Sequence, residues 1–441
     1  MSRMWRYTMW VLGLWTVNPE LRRLHDWYFG FSQVEIMSLL PLLSLFPYAW
    51  SLSVGGGWKR LHPSLAMIAW LWIGGFSYAL LLAVLYGNIL SGTYTFVDFI
   101  LPIGLGLWIA ADEAQMSISR PRIMRMLFGM TTVLSVYGII QYIFMPPWDA
   151  FWLYSVNMQG AFSFGDPEPF QVRVFSMLNS PAPFAVFMAI MLLMSLPELS
   201  MRRPLLLAQV PIWLIAFGLS MDRSGWIFFA VGAVAYAFFT PRPGILVMTI
   251  AACTALLIGL MNFVPAVFGN DLFVTTINER LGSFSSLDRD DSAQQRQAQI
   301  GYALGEFLEA PLGRGLGVIG GNATKLSNGA APIGLDNGYL SRLVEMGAPG
   351  SLLYGATFVL IFATLLKIWR TAKRIGDTML QGVTGMTIAI ECGILCFLLS
   401  GDVSGLPLLL FWLCICMVVG QGEMQFSTVI GMTSFERRLA R

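Results

Sequence analysis

The chain has 441 residues, of which 56% are apolar and only 12% charged. Soluble domains carry about 25% charged residues, so this composition excludes an ordinary soluble domain and implies a polytopic membrane protein. A formal net charge of +2 gives no hold on nucleic acid.

A helical span needs about 20 mostly apolar residues, within a range of roughly 17–25. Twelve stretches qualify in chain order, the first of them short: Trp5–Val17, Val34–Leu52, Leu65–Tyr86, Phe96–Ala111, Met124–Phe144, Phe175–Leu196, Leu205–Leu219, Gly225–Phe239, Ile245–Phe268, Gly338–Leu366, Gln381–Leu399 and Pro407–Gly420. The first run lacks a small-residue cleavage site, which argues against a signal peptide. All five cysteines lie in apolar runs, so neither a disulfide framework nor a metal spacing is expected. Cys392 and Cys396 stand one helical turn apart and read as small core residues.

Lysine and arginine mark the cytoplasmic side of a membrane protein. With the N-terminus inside, 17 of the 27 basic residues fall in inner segments and 10 in much longer outer ones. Both termini are then cytoplasmic. Arg22 and Arg23 resist this, because they fall outside. If Trp5–Val17 does not span, the count becomes eleven and only the N-terminus changes side. The whole chain, 1–441, reads as a single integral membrane domain. It carries a smaller outer loop at 146–174, rich in aromatics, and a large one at 269–336 between the ninth and tenth spans.

Loops of that length are usually functional or disordered. Ser292–Glu309 reads as an amphipathic helix, with Arg296, Ile300, Ala303, Leu304 and Phe307 on one face. An inward guanidinium requires an anionic partner, either a loop carboxylate such as Asp290 or Asp291 or a ligand. Gly315–Gly320 fits G-x-G-x-x-G but follows Ala310-Pro311-Leu312-Gly313, not a strand. It therefore reads as a turn re-entering the membrane surface, not a dinucleotide site. Asn322-Ala323-Thr324 matches a glycosylation sequon, a motif frequent by chance. His25 and His62 both lie away from the polar loop, which argues against zinc or Ser-His-Asp chemistry.

Arg173 and Arg223 stand at the outer ends of spans, where a charge is costly and tends to line a functional cavity. Arginine's planar fork suits phosphate. Three cations, Arg173, Arg223 and Arg296, suit a lipid diphosphate; for Arg223 a local pair with Asp222 or snorkelling to headgroups is the plainer alternative. Asp336 opens the tenth span and serves equally as N-cap or as catalytic base. Arg342 and Glu345 are three apart and read as a structural pair. Asp98 and Glu391 are isolated acids within spans, which keeps a proton-coupled transporter in view.

These residues resemble a known family. Asp336-Asn337-Gly338-Tyr339-Leu340 with Glu345-Met346-Gly347 resembles the H/D-N-x-x-L…E-x-G signature of the O-antigen ligase and Wzy-type polymerase superfamily. Arg296 with Pro311-Leu312-Gly313-Arg314-Gly315-Leu316-Gly317 resembles its R…P-L-L-G-x-G-x-G segment. Arg173-Val174-Phe175 with Asn179-Ser180-Pro181 resembles its R-x-x-G/S…N-P-N entry, and Ser220–Gly225 its S-x-S-R-G turn, with Asp222 in place of a small residue.

The resemblance implies an all-α, GT-C-like membrane glycosyltransferase of the bacterial inner membrane, working on the periplasmic side. It implies no metal, nucleotide sugar or other cofactor. The donor is expected to be an undecaprenyl-diphosphate-linked glycan, the acceptor a lipid-linked glycan, with membrane lipids and a chain-length regulator protein as further partners. Arg173, Arg223, Arg296 and Arg314 are expected to hold the diphosphate, with Arg223 and Arg296 also stabilising the leaving charge. Asp336 is the expected base. Ligases of the family are expected to carry His at the position of Asp336, so Asp points toward a polymerase. A ligase acting on a lipid core or protein, and from another class a secondary transporter or flippase, are the alternatives.

Overall fold

The computed structural model describes residues 3–32, 36–158, 164–199, 204–240, 291–320 and 334–431, with Gly244 and Leu326 as single positions. It is helical throughout. Among the described residues the only extended pairing is an isolated bridge between Gly165 and Val172. Hydrocarbon offers backbone groups no partners, so a chain of this composition satisfies them within helices.

Among the described residues there are thirteen α-helices: α1 Arg3–Phe29, α2 Leu40–Val54, α3 Pro63–Leu85, α4 Ile89–Ala111, α5 Glu113–Phe144, α6 Pro147–Asn157, α7 Pro181–Leu199, α8 Pro204–Leu219, α9 Arg223–Phe239, α10 Asp291–Glu309, α11 Gly338–Ile375, α12 Thr378–Phe397 and α13 Gly405–Gly431. Eight helical stretches in the described residues are long and apolar enough to cross a membrane, and α8 and α9 are shorter apolar helices. The protein is thus a multi-pass membrane protein. The expected span Ile245–Phe268 lies outside the described residues. Trp5–Val17 forms part of α1, which is not among the eight stretches. Its apolar run is cut short by Glu20, Arg22, Arg23 and Asp26.

The expected span Phe175–Leu196 also begins later, because α7 starts only at Pro181. Phe175–Ser180 is a non-helical turn with Ser176 at φ 52°. The amide oxygen of Gln141 accepts the N–H groups of Phe175 and Ser176, at 3.1 and 2.8 Å. A side chain thus takes the place of helical backbone partners.

The chain packs into two compact units, each built from separated segments. The first comprises 1–43, 122–230 and 244–298. Its core is α7, whose residues from Phe184 to Leu193 are almost wholly enclosed. Buried Trp213 on α8 donates from its indole to Thr132 on α5 at 2.9 Å.

The second unit comprises 44–121, 231–243 and 299–441. There α3, α4, α11, α12 and α13 pack around an aromatic stack. Trp72 on α3 lies edge-on to Trp412 and tilted against Tyr354, and its indole donates to the Phe99 carbonyl at 3.0 Å. Phe76 and Phe99 stack 4.8 Å apart. Helix α11 ends at Gly376 in the left-handed conformation, and the Asp377 carboxylate caps α12 by accepting the Leu380 N–H at 2.9 Å.

Candidate active site

In the first unit, two of the sequence motifs meet. Arg173 Nη2 lies 3.2 Å from Asp222 Oδ2, and its Nε donates to the Ser220 carbonyl at 3.4 Å. The Val174 N–H donates to the Leu219 carbonyl at 3.1 Å. Asp222 Oδ1 also accepts the Gly225 N–H at 2.8 Å, so one carboxylate both closes the first turn of α9 and holds Arg173. Asp222 is therefore more than a replaced small residue: it is the hinge between the two motifs. Arg223, next to it, is half-buried at the first position of α9.

Behind Arg173 lies a polar cluster that the sequence did not announce. Arg23 is 1% exposed. It lies 2.5 Å from Glu20 and 3.3 Å from Asp149, and donates to the Ser176 carbonyl at 2.7 Å. Tyr137 donates to Glu20 at 2.5 Å, and Gln141 to Asp149 at 2.7 Å. Burial pushes the Glu20 carboxyl above its ordinary value, against the opposing pull of the Arg23 guanidinium. Arg22 donates to the Asn179 side chain at 3.3 Å. Arg22 and Arg23, the two residues that resist the expected inner-side bias, both bond to the Val174–Asn179 turn. A charged pair three residues apart, followed by another acid, was the only local signal.

In the second unit, the glycine-rich segment and the E-x-G element lock together through their backbones. Arg314 and Gly315 donate their N–H groups to the carbonyls of Val344 and Glu345, at 2.9 and 3.0 Å, and Ala348 donates to Pro311 at 2.9 Å. Gly347 (φ 59°, ψ −167°) breaks α11 here. A Cβ on it would lie 2.2 Å from the Leu312 carbonyl carbon, so no side chain fits. The G-x-G-x-x-G run is indeed a turn with no strand before it. Gly317 donates its N–H to Glu345 Oε1 at 2.9 Å.

Glu345 is 1% exposed and lies 2.7 Å from Arg342, the expected pair. That pair extends to Asp402 at 2.6 Å, in the loop between α12 and α13. The Arg342 guanidinium stands 4.6 Å over the Phe99 ring, and Asp98 lies within electrostatic reach of Arg342 and Asp402. Asp402 had no sequence signal beyond being a lone acid in a short polar gap between two apolar runs. The same loop accepts the Gly338 N–H through Leu398 and Gly401, and the Asn337 side chain through Leu399.

Asp336 itself is exposed, and its N–H donates to Gln299 at 3.2 Å. The cap of α11 is not Asp336 but Asn337, whose side-chain oxygen accepts the Leu340 N–H at 3.0 Å. Among the described residues the Asp336 carboxylate has no hydrogen-bond or ion-pair partner. Arg314 is held by two carboxylates, Glu306 at 2.7 Å and Glu309 at 2.8 Å, and remains partly exposed. Arg296 lies on α10, but its side chain is outside the described residues. Glu391 is fully enclosed on α12, away from these contacts. A cavity of about 630 Å³, almost wholly apolar, opens beside Arg342, lined by Tyr339, Leu340, Tyr354, Phe358 and Phe362.

Residues 210–355, about a third of the chain, match the family model described as O-Antigen ligase, which supports the resemblance to the O-antigen ligase/Wzy superfamily. That match takes in Arg223, Arg296, Arg314, Asp336 and the Glu345–Gly347 element; Arg173 and Asp402 lie outside it. It supports a membrane glycosyltransferase-like role in glycan processing. No curated protein matches the chain.

Proposed function

We propose that this protein polymerises a polysaccharide at the periplasmic face of the bacterial inner membrane, transferring glycan from an undecaprenyl-diphosphate donor to a lipid-linked acceptor. The reading is supported by one observation above the others: the exposed Asp336 carboxylate, without a partner among the described residues, on a helix start that Asn337 and Gly338 hold in place.

In the reaction, an acceptor hydroxyl oxygen attacks the anomeric carbon of the donor sugar. The bond from that carbon to the phosphate oxygen breaks, and its electron pair leaves with the lipid diphosphate. The hydroxyl proton passes to the Asp336 carboxylate. Arg173, Arg223, Arg296 and Arg314 hold the diphosphate, and fixed guanidinium groups stabilise charge as it develops on the leaving oxygen. Arginine charge is pH-independent in the working range, so the clamp stays cationic. Asp222 holds Arg173 at the α9 turn, and Arg314, partly exposed beside its two carboxylates, remains open to the diphosphate. The apolar cavity beside Arg342 suits hydrocarbon.

The test uses purified protein in nanodiscs with lipid-diphosphate-linked oligosaccharide, EDTA and no nucleotide sugar. A product ladder that vanishes with Asp336→Asn or Arg223→Ala is expected. No product from well-folded protein would overturn the reading. The family model's own description favours a second reading, a ligase, which predicts a single shifted band that forms only with a separate acceptor.

A further inference from the structure

The amphipathic helix α10 does not bury its apolar face as a single stripe. Ala303 is enclosed against Leu335 and Val344, and Phe307 is half-buried. Ile300, Leu304 and Leu308 are instead exposed, Leu308 by 77%. At about 100° per residue these three positions fall within roughly 80° of one another, so they form a second apolar stripe beside the packed one.

Where α10 ends, the chain descends along a membrane-spanning helix. Tyr78 on α3 donates its hydroxyl to the Leu312 carbonyl at 2.8 Å, and the Leu316 N–H donates to the Ala79 carbonyl at 3.0 Å. Gly315 packs so closely on Ala83 that a Cβ there would lie 2.6 Å from its nitrogen. Ala79 precedes the end of α3 at Leu85 by six residues, or about 9 Å of helix at 1.5 Å per residue. The turn after α10 is therefore seated below the end of the span. The tip joining α3 to α4 is itself apolar and open, with Leu85 and Leu90 69% and 63% exposed. Leu312, which links α10 to this turn, is 61% exposed.

We propose that α10 is an interfacial helix whose Ile300–Leu304–Leu308 stripe lies in the outer lipid leaflet, continuous with the open α3–α4 tip. Helices of this kind bury their apolar face about 5–10 Å into the headgroup boundary, which matches the depth at which the following turn is fixed. The partner is a lipid surface. Seating the helix there holds Arg314 at headgroup level and leaves the face carrying Tyr302 toward water.

The inference is tested without substrate, so its failure leaves the proposed transfer reaction untouched, and the reverse also holds. A nitroxide is placed singly at Leu304→Cys, Leu308→Cys and Tyr302→Cys in full-length protein whose native cysteines are replaced. The labelled proteins, shown folded by thermal unfolding, are reconstituted in phosphatidylethanolamine–phosphatidylglycerol nanodiscs. Oxygen, which concentrates in hydrocarbon, should relax the labels at 304 and 308, while a water-soluble nickel chelate relaxes 302. Nickel access at 304 and 308 would mean a water-facing stripe and overturn the proposal. Shielding from both relaxants would assign the stripe to another segment of the chain or a second copy, and would overturn it equally.

Discussion

Glu345 on α11 and Gly317 in the glycine-rich turn are joined by a 2.9 Å hydrogen bond from the Gly317 N–H to the Glu345 carboxylate. The same carboxylate pairs with Arg342, and Arg342 reaches Asp402. Three segments far apart in the chain are thus fastened at one buried point, next to the helix start that presents Asp336. Removing one member of a buried charge pair is expected to cost about 3–5 kcal/mol. Glu345→Ala should therefore lower the unfolding temperature in detergent sharply, while the double variant Arg342→Met/Glu345→Leu should lose less than the two single variants added together. Additive losses would show that the pair is not energetically coupled.

Gly347 and Gly355 lie on the same helix in opposite situations. Gly347 has φ 59° and no room for a Cβ, whereas a Cβ on Gly355 meets nothing within 4 Å. Gly347→Ala should cost more than the roughly 1–3 kcal/mol of a strained backbone residue, because the Leu312–Gly313 backbone must also move. Gly355→Ala should be neutral or stabilising by up to about 1 kcal/mol. Thermal unfolding of both variants, with limited proteolysis of the 310–317 turn, checks the contrast.

Variants of Asp336 and Asn337 test whether the proposed chemistry and the helix cap reside in different residues. Asn337→Ala should lower stability by about 1 kcal/mol, the usual loss of an N-cap, and leave measurable transfer activity. Asp336→Asn should leave the unfolding temperature unchanged and abolish product on the gel assay. A destabilised but active Asp336→Asn protein would reverse these roles.

Asp222 serves both Arg173 and the start of α9. Asp222→Asn retains an oxygen for the Gly225 N–H but removes the charge beside Arg173, so it should fold normally and show a changed apparent affinity for the lipid-diphosphate donor. Asp222→Ala should add a cap loss of about 1 kcal/mol. Titrating donor against both variants, alongside their unfolding curves, separates the two effects.

The buried cluster around Arg23 has a mechanical role. Arg23→Ala leaves Glu20 and Asp149 enclosed without their cation and should destabilise the protein by about 3–5 kcal/mol. Combining it with Glu20→Gln should recover part of that loss. Equal unfolding temperatures for wild type and Arg23→Ala would show that the cluster does not hold the Val174–Asn179 turn.

Much of this architecture follows from the sequence alone. Hydrocarbon demands long apolar runs, so composition and run length were enough to make a polytopic helical protein and to place most of its spans. The Arg342–Glu345 pair was legible because helix geometry puts residues three apart on one face. The order of the motifs was legible for the same reason: it is written in the chain. Contacts between distant segments were not. Arg173 meets Asp222 across 49 positions and Arg342 meets Asp402 across 60. No local periodicity encodes either, since loop closure and helix packing alone bring them together. The tertiary structure also decided between neighbours. It gave the cap to Asn337 and left the Asp336 carboxylate without a partner among the described residues, because the Leu398–Gly401 loop holds the Asn337–Gly338 segment so that the Asn337 side chain reaches the Leu340 N–H. It likewise unwound Phe175–Ser180 from the expected span, where the long-range partners Gln141 and Arg23 outbid the helix for its backbone groups.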